Sequence, residues 1–233
     1  YNGHAIFNMR VYALQDVLGM RNTTLSDVIE ALKCVDEGDG TISSDTFYDM
    51  LQDFYPLPPF SMLEPQRKGV FQNLVELLHE DDDTMQIEVI MSAFSVILNG
   101  PREDIWNELL TTLSKDDVIE PNKINLLFTA LIKMTLFVQV GRFNPNLIRC
   151  IKPYLTEIME CLPSSCHIET VRDLLCENLR MVLPLSFDAR LIERPVLLHG
   201  MVLALRILAG LGDVLFSRFF QFVMSFDREV LSK

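Results

Sequence analysis

The sequence predicts an all-α fold, and three observations carry that prediction. Apolar residues recur at three- and four-residue spacing along most of the chain. No segment alternates cleanly with period two, so strands are expected only as very short pairings. Proline, glycine and acidic clusters punctuate the apolar runs at helix-length intervals. The chain has 233 residues, 49% of them hydrophobic and 22% charged, enough apolar surface for a real core and too much for disorder.

Taken in order, Ile6, Met9, Tyr12, Ala13, Val17 and Met20 mark a first helix. Thr24 opens a second, with Asp27 three positions on as the reciprocal half of a capping box, followed by Val28, Ile29, Ala31 and Leu32. Phe47, Met50, Leu51 and Phe54 form the next stripe. Pro56-Leu57-Pro58-Pro59-Phe60 stops it and reads as a stiff extended linker that also spells a minimal PxxP ligand. Further helices are expected over 66–79, 86–98, 103–114 and 122–139, broken by Asn99-Gly100-Pro101 and Asp116–Pro121. After a break at Gly141–Pro145, the last four are expected over 146–161, 168–182, 189–211 and 213–231.

Composition narrows the function. With 20 Lys+Arg against 32 Asp+Glu the net charge is −12, which repels nucleic acid and anionic lipid. The basic residues are scattered, Arg67-Lys68 being the nearest approach to a cluster. The five cysteines, an odd number with Cys150, Cys161, Cys166 and Cys176 close together, fit a reducing compartment and a cytoplasmic location. The chain begins at Tyr1 and is expected to be a fragment. Pro195–Gly212 is the one membrane-like run. It contains His199 and Arg206, and an Arg at mid-bilayer costs roughly 2.5–3.5 kcal/mol, so a core helix is expected and no membrane span.

Asp39-Gly40-Thr41-Ile42-Ser43 is the most specific string. It matches the second half of an EF-hand loop, where Gly at position six makes the turn and Ile at position eight pairs with a partner loop. Counted from Gly40, position one is Val35, position three Glu37 and position twelve Thr46, so two anchoring carboxylates are missing. A register starting at Asp36 recovers the first ligand and leaves the loop one residue short. Calcium wants roughly six to eight oxygens. The first loop offers Asp36, Asp39, Thr41 and Asp45, so no metal and no cofactor is expected.

The helix–loop–Ile–helix outline recurs before Ile87, Ile119 and Ile168, in loops lacking the position-six Gly and position-twelve Glu. Four EF-hand-like units follow, at 24–54, 67–98, 103–137 and 146–182, paired two by two. The expected organisation is therefore an N-terminal pair over 1–99, a second over 100–183, and C-terminal hydrophobic helices over 184–233.

Other constellations carry less. Cys161, Cys166, His167 and Cys176 have zinc-ligand chemistry but not zinc-site spacing. No phosphate loop, nucleophile elbow or H-E-x-x-H is present, and an enzyme is not expected. Val214, Leu215, Phe216, Phe219, Phe220, Phe222, Val223 and Phe226 crowd the last helix too densely for a one-sided amphipath. They are expected to pack on the core or meet a partner, with Phe216, Phe219, Phe220 and Val223 as the partner-binding candidates and a homodimer as one form.

The order of segments resembles the EF-hand region of the dystrophin and dystrobrevin family. Three stretches carry the likeness: Arg10–Gln15 with Leu25–Leu32 and its Val-Ile-Glu-Ala-Leu core, Phe47–Tyr55, and Gly69–Met134. It covers about residues 1–182 and consists mostly of hydrophobic pattern. The family's WW and zinc-binding ZZ modules are absent, so binding that depends on them does not transfer. The resemblance implies an adaptor between membrane-associated complexes and the cytoskeleton, contacting helical or cytoskeletal proteins. Two other readings stay open: a HEAT- or armadillo-type solenoid, whose units run about 40–47 residues, and a calcium sensor acting through the first loop.

Overall fold

The computed structural model describes residues 2–36, 38–79, 84–140 and 166–182, with Thr156 and Glu160 between the last two stretches. Within them the protein is helical, with two short ribbons. The order is α1 (Asn2–Leu18), α2 (Leu25–Val35), β1 (Thr41–Ser43), α3 (Ser44–Phe54), α4 (Glu64–Leu78), β2 (Thr84–Gln86), α5 (Ile87–Ser95), α6 (Arg102–Leu113), β3 (Val118–Ile119), α7 (Pro121–Val140), β4 (Cys166–His167) and α8 (Ile168–Val182). The helices expected over 146–161, 189–211 and 213–231 lie outside these residues, apart from Thr156 and Glu160, both helical.

Local chemistry sets the helix boundaries. At α2, the Asp27 amide donates to Thr24 Oγ1 at 3.3 Å and the Thr24 amide donates to Asp27 Oδ2 at 2.8 Å, completing the capping box. Ser43 caps α3 by accepting the Thr46 amide at 3.1 Å. Pro121 opens α7, where its missing N–H is not needed.

The ribbons join the units. β1 and β2 run antiparallel with Ile42 opposite Met85, and β3 and β4 run antiparallel with Ile119 opposite Cys166. This corrects the register expected from the isoleucines. Ile87 and Ile168 are not the ribbon residues of their loops: each sits two places further on, as the first residue of the following helix. Their amides still close the ribbon ends in the same way, Ile87 donating to Gly40 O and Ile168 to Asp117 O, both at 3.0 Å. Gly40 therefore corresponds to Asp117, Ile42 to Ile119, Met85 to Cys166 and Ile87 to Ile168.

One apolar core runs through both ribbon-joined sets, from Val11 to Leu175. Phe47 sits in it against Phe71 and Phe94, with ring centroids 5.7 and 5.8 Å apart. Helix α7 lies along α5 and also touches α4 and α1, and α1 in turn touches α4. Gln15, fully buried on α1, donates from Nε2 to Ile97 O and, at 3.2 Å, to Asn99 Oδ1, pinning α1 to the corner after α5. No helix among the described residues is long and apolar enough to cross a membrane. Pro195–Gly212 lies outside them.

Candidate functional site

The first loop runs from the end of α2 to β1. Asp36 is the C-terminal cap of α2, its amide donating to Leu32 O at 3.0 Å while its backbone turns extended. Its carboxylate folds into the loop, and Oδ1 accepts the amides of Gly38 at 2.8 Å and Gly40 at 3.1 Å. Both glycines hold positive φ, 104° and 76°, a region that L side chains avoid. Asp39 is exposed, and its Oδ1 accepts both the amide and the hydroxyl of Thr41 at 2.8 and 3.0 Å. Those bonds, the backbone one foremost, hold its carboxyl below the usual range.

The far end of the loop is closed by hydroxyls. Thr46, at the place of the missing bidentate Glu, is bonded to Ser43 through its amide and, at 2.9 Å, through its hydroxyl. The next residue, Phe47, is fully buried. Asp45 lies exposed in the first turn of α3. Of the four candidate oxygen donors, Asp36 and Asp39 thus spend an oxygen each on the loop's own N–H groups and Thr41 bonds Asp39. Among the described residues no three His, Cys, Asp or Glu side chains gather as a cation site; Glu37 lies outside them.

The third loop is built differently. Lys115 and Val118 exchange backbone hydrogen bonds, at 2.9 and 3.0 Å, across Asp116 and Asp117. Both central residues have positive φ, 53° and 60°, the pattern of a type I′ turn. The backbone alone closes this loop, without a side-chain cage. In the fourth loop, Cys166 is buried and His167 exposed, as strand alternation requires, so the two cannot converge on one zinc ion. Burial pushes the Cys166 thiol up, which disfavours the thiolate a metal would need. Cys161 and the side chain of Cys176 lie outside the described residues, as do the partner-binding candidates Phe216, Phe219, Phe220 and Val223.

One functional-looking residue has an unexpected place. Arg67, half of the nearest thing to a basic cluster, is 1% exposed. It donates from Nη2 to Leu51 O in the last turn of α3, where the helix dipole presents partial negative charge. Its Nε has no partner, and desolvation lowers its pKa. Arg102 repeats the arrangement on Ser95 O and Leu98 O, and Lys133 on Leu77 O at 3.1 Å. Helix C-termini therefore receive three of the scarce cations. A sequence signal existed: Arg67 falls on the same stripe as Leu74, Leu77 and Leu78.

Comparison of the chain with protein-family models, with curated proteins and with solved structures finds no match in any of the three.

Proposed function

We propose that this chain is a non-enzymatic adaptor built from paired, degenerate EF-hand-like units whose loops have replaced the cation with hydrogen bonds of their own. The observation that carries the reading is the Asp36 carboxylate. It bridges the amides of Gly38 and Gly40, so a first-position ligand organises the loop without metal. The antiparallel pairing of Ile42 with Met85 and of Ile119 with Cys166 supports the two-by-two grouping of units. A HEAT- or armadillo-type solenoid has no need of such ribbons.

In this reading the helices are a calcium-independent scaffold for a helical or cytoskeletal protein. The dystrophin-like segment order makes a cytoplasmic link between membrane-associated complexes and the cytoskeleton the working role. Two or more ligands too few separate the first loop from a calcium sensor. Calorimetric titration of the chain with Ca²⁺ tests the point. The adaptor reading expects no binding heat up to millimolar concentrations, whereas a single site lost in Asp36→Ala sinks it in favour of the sensor.

A further inference from the structure

The connector between α3 and α4 is the place where the described surface is most at odds with a protein that stands alone. Of five large apolar residues exposed there or elsewhere among the described residues, Phe54, Phe60 and Met62 lie in or beside it, at 44%, 104% and 90% exposure. Pro56, Pro58 and Pro59 are exposed, and Leu57 is half-buried beneath them. Proline fixes φ and pushes the residue before it into extended or polyproline geometry, so Leu57 and Pro58 are both held extended. Pro58 O accepts the Ser61 amide at 3.0 Å, making Pro59-Phe60 the centre of a tight turn with Phe60 at φ 61°. That is the pattern of a type II turn, whose third residue is normally Gly or Asn. An aromatic in the left-handed region is strained, and at full exposure Phe60 gains no burial in return.

We propose that Pro56–Phe60 is a preformed docking ridge for a partner protein domain with an aromatic-lined, polyproline-reading groove. Such grooves take an extended proline-rich segment at little cost in chain entropy, because the ligand is already rigid. Three prolines without N–H groups supply the ridge, and Phe60 supplies an aromatic anchor that the turn aims outward. The exposed carboxylates Asp53 and Glu64 flank it on either side, so the complementary groove carries a basic rim. A net charge of −12 disfavours an anionic lipid surface as the occupant. With three of the five large exposed apolar side chains, the connector is the prominent exposed apolar feature among the described residues. The ridge goes beyond the adaptor reading, adding a groove-bearing domain to the helical or cytoskeletal partner, and rests on residues outside the loops that support that reading.

The test uses the full chain against a panel of purified Src-homology-3-type and WW domains, with binding followed by calorimetry. At least one domain should bind saturably. Substituting Pro58→Ala with Pro59→Ala should weaken that binding by roughly tenfold or more, the loss of two rings from the groove. Phe60→Gly should weaken it too while raising the melting temperature, since glycine relieves the left-handed strain; this variant carries the test if the double one misfolds. Absence of binding across the panel overturns the inference, as does binding indifferent to Pro58, Pro59 and Phe60. Concentration-dependent self-association, or vesicle binding, that disappears in Phe60→Gly also overturns it, because the occupant is then a second copy or a membrane. None of these failures touches the calcium titration, which decides the adaptor reading separately.

Discussion

The first and third loops solve one problem by two routes. Each must carry the chain from a helix into a short strand and out again, with a left-handed residue two places before the ribbon isoleucine. In the first loop that residue is Gly40 at φ 76°, and a carboxylate, Asp36, gathers the amides around it. In the third it is Asp117 at φ 60°, and two backbone hydrogen bonds between Lys115 and Val118 do the gathering. The outcome is the same, with Ile42 and Ile119 buried at 3% and 0% exposure and the first residue of the partner loop's helix, Ile87 or Ile168, tied back at 3.0 Å. The difference teaches that the ribbon and its buried isoleucine are common to both loops, whereas the means of closing the loop varies between them.

Substitutions of the ribbon isoleucines should show the common part. Ile42→Ala and Ile119→Ala each remove a fully packed side chain from one continuous core, so each should cost about 2–5 kcal/mol in denaturant unfolding. A cost below about 1 kcal/mol at one of them would show that its ribbon is ornamental. The loops themselves should separate in the next experiment. Asp36→Ala removes the acceptor of one exposed and one part-buried amide and should cost about 0.5–1.5 kcal/mol. An equal loss in Asp116→Asn, which keeps a residue tolerant of the left-handed region where the turn is closed by backbone alone, would contradict the distinction.

The left-handed positions allow a smaller and oppositely signed comparison. Asp117→Gly should stabilise the protein by about 0.5–1 kcal/mol, and Gly40→Ala should destabilise it by a similar amount, both read from unfolding midpoints. A Cβ added at Gly40 meets nothing within 4 Å, so any loss there reports backbone strain and not a clash.

Acid should act on the first set of units. The carboxyls of Asp27 and Asp39 are held low by hydrogen bonds from Thr24 and Thr41 respectively. A depressed folded pKa gives stability that is present above the unfolded value, about 3.9, and lost as pH falls through the lower folded value. Both groups are exposed, so the effect is small, and it should vanish from the pH profile of the Asp27→Asn, Asp39→Asn double variant.

Much of this fold was legible in the sequence because its signals are local. Thr24 with Asp27 fixes a helix start, Pro56 an end, and Asp39-Gly40-Thr41-Ile42-Ser43 a turn into a strand. The ribbon partners were not legible. Met85 and Cys166 have no β-branch to mark a strand, and the isoleucines two residues later draw attention to the helix starts instead. The burial of Arg67 is hard to read for a related reason. Charge is a poor guide to burial when a helix C-terminus can serve as the counter-charge, and only its place on the Leu74–Leu77–Leu78 stripe pointed inward. At the candidate site the sequence named Asp36 and Asp39 but not their roles, because a carboxylate reads alike whether it awaits a cation or already holds an amide.

The central claim, that the first loop is closed by its own carboxylate, is tested most directly by amide hydrogen exchange at Gly40 in the metal-free chain. Protection is expected in the presence of chelator, unchanged by added Ca²⁺ and lost in Asp36→Ala. Fast exchange under chelator that becomes slow only when Ca²⁺ is added would contradict it.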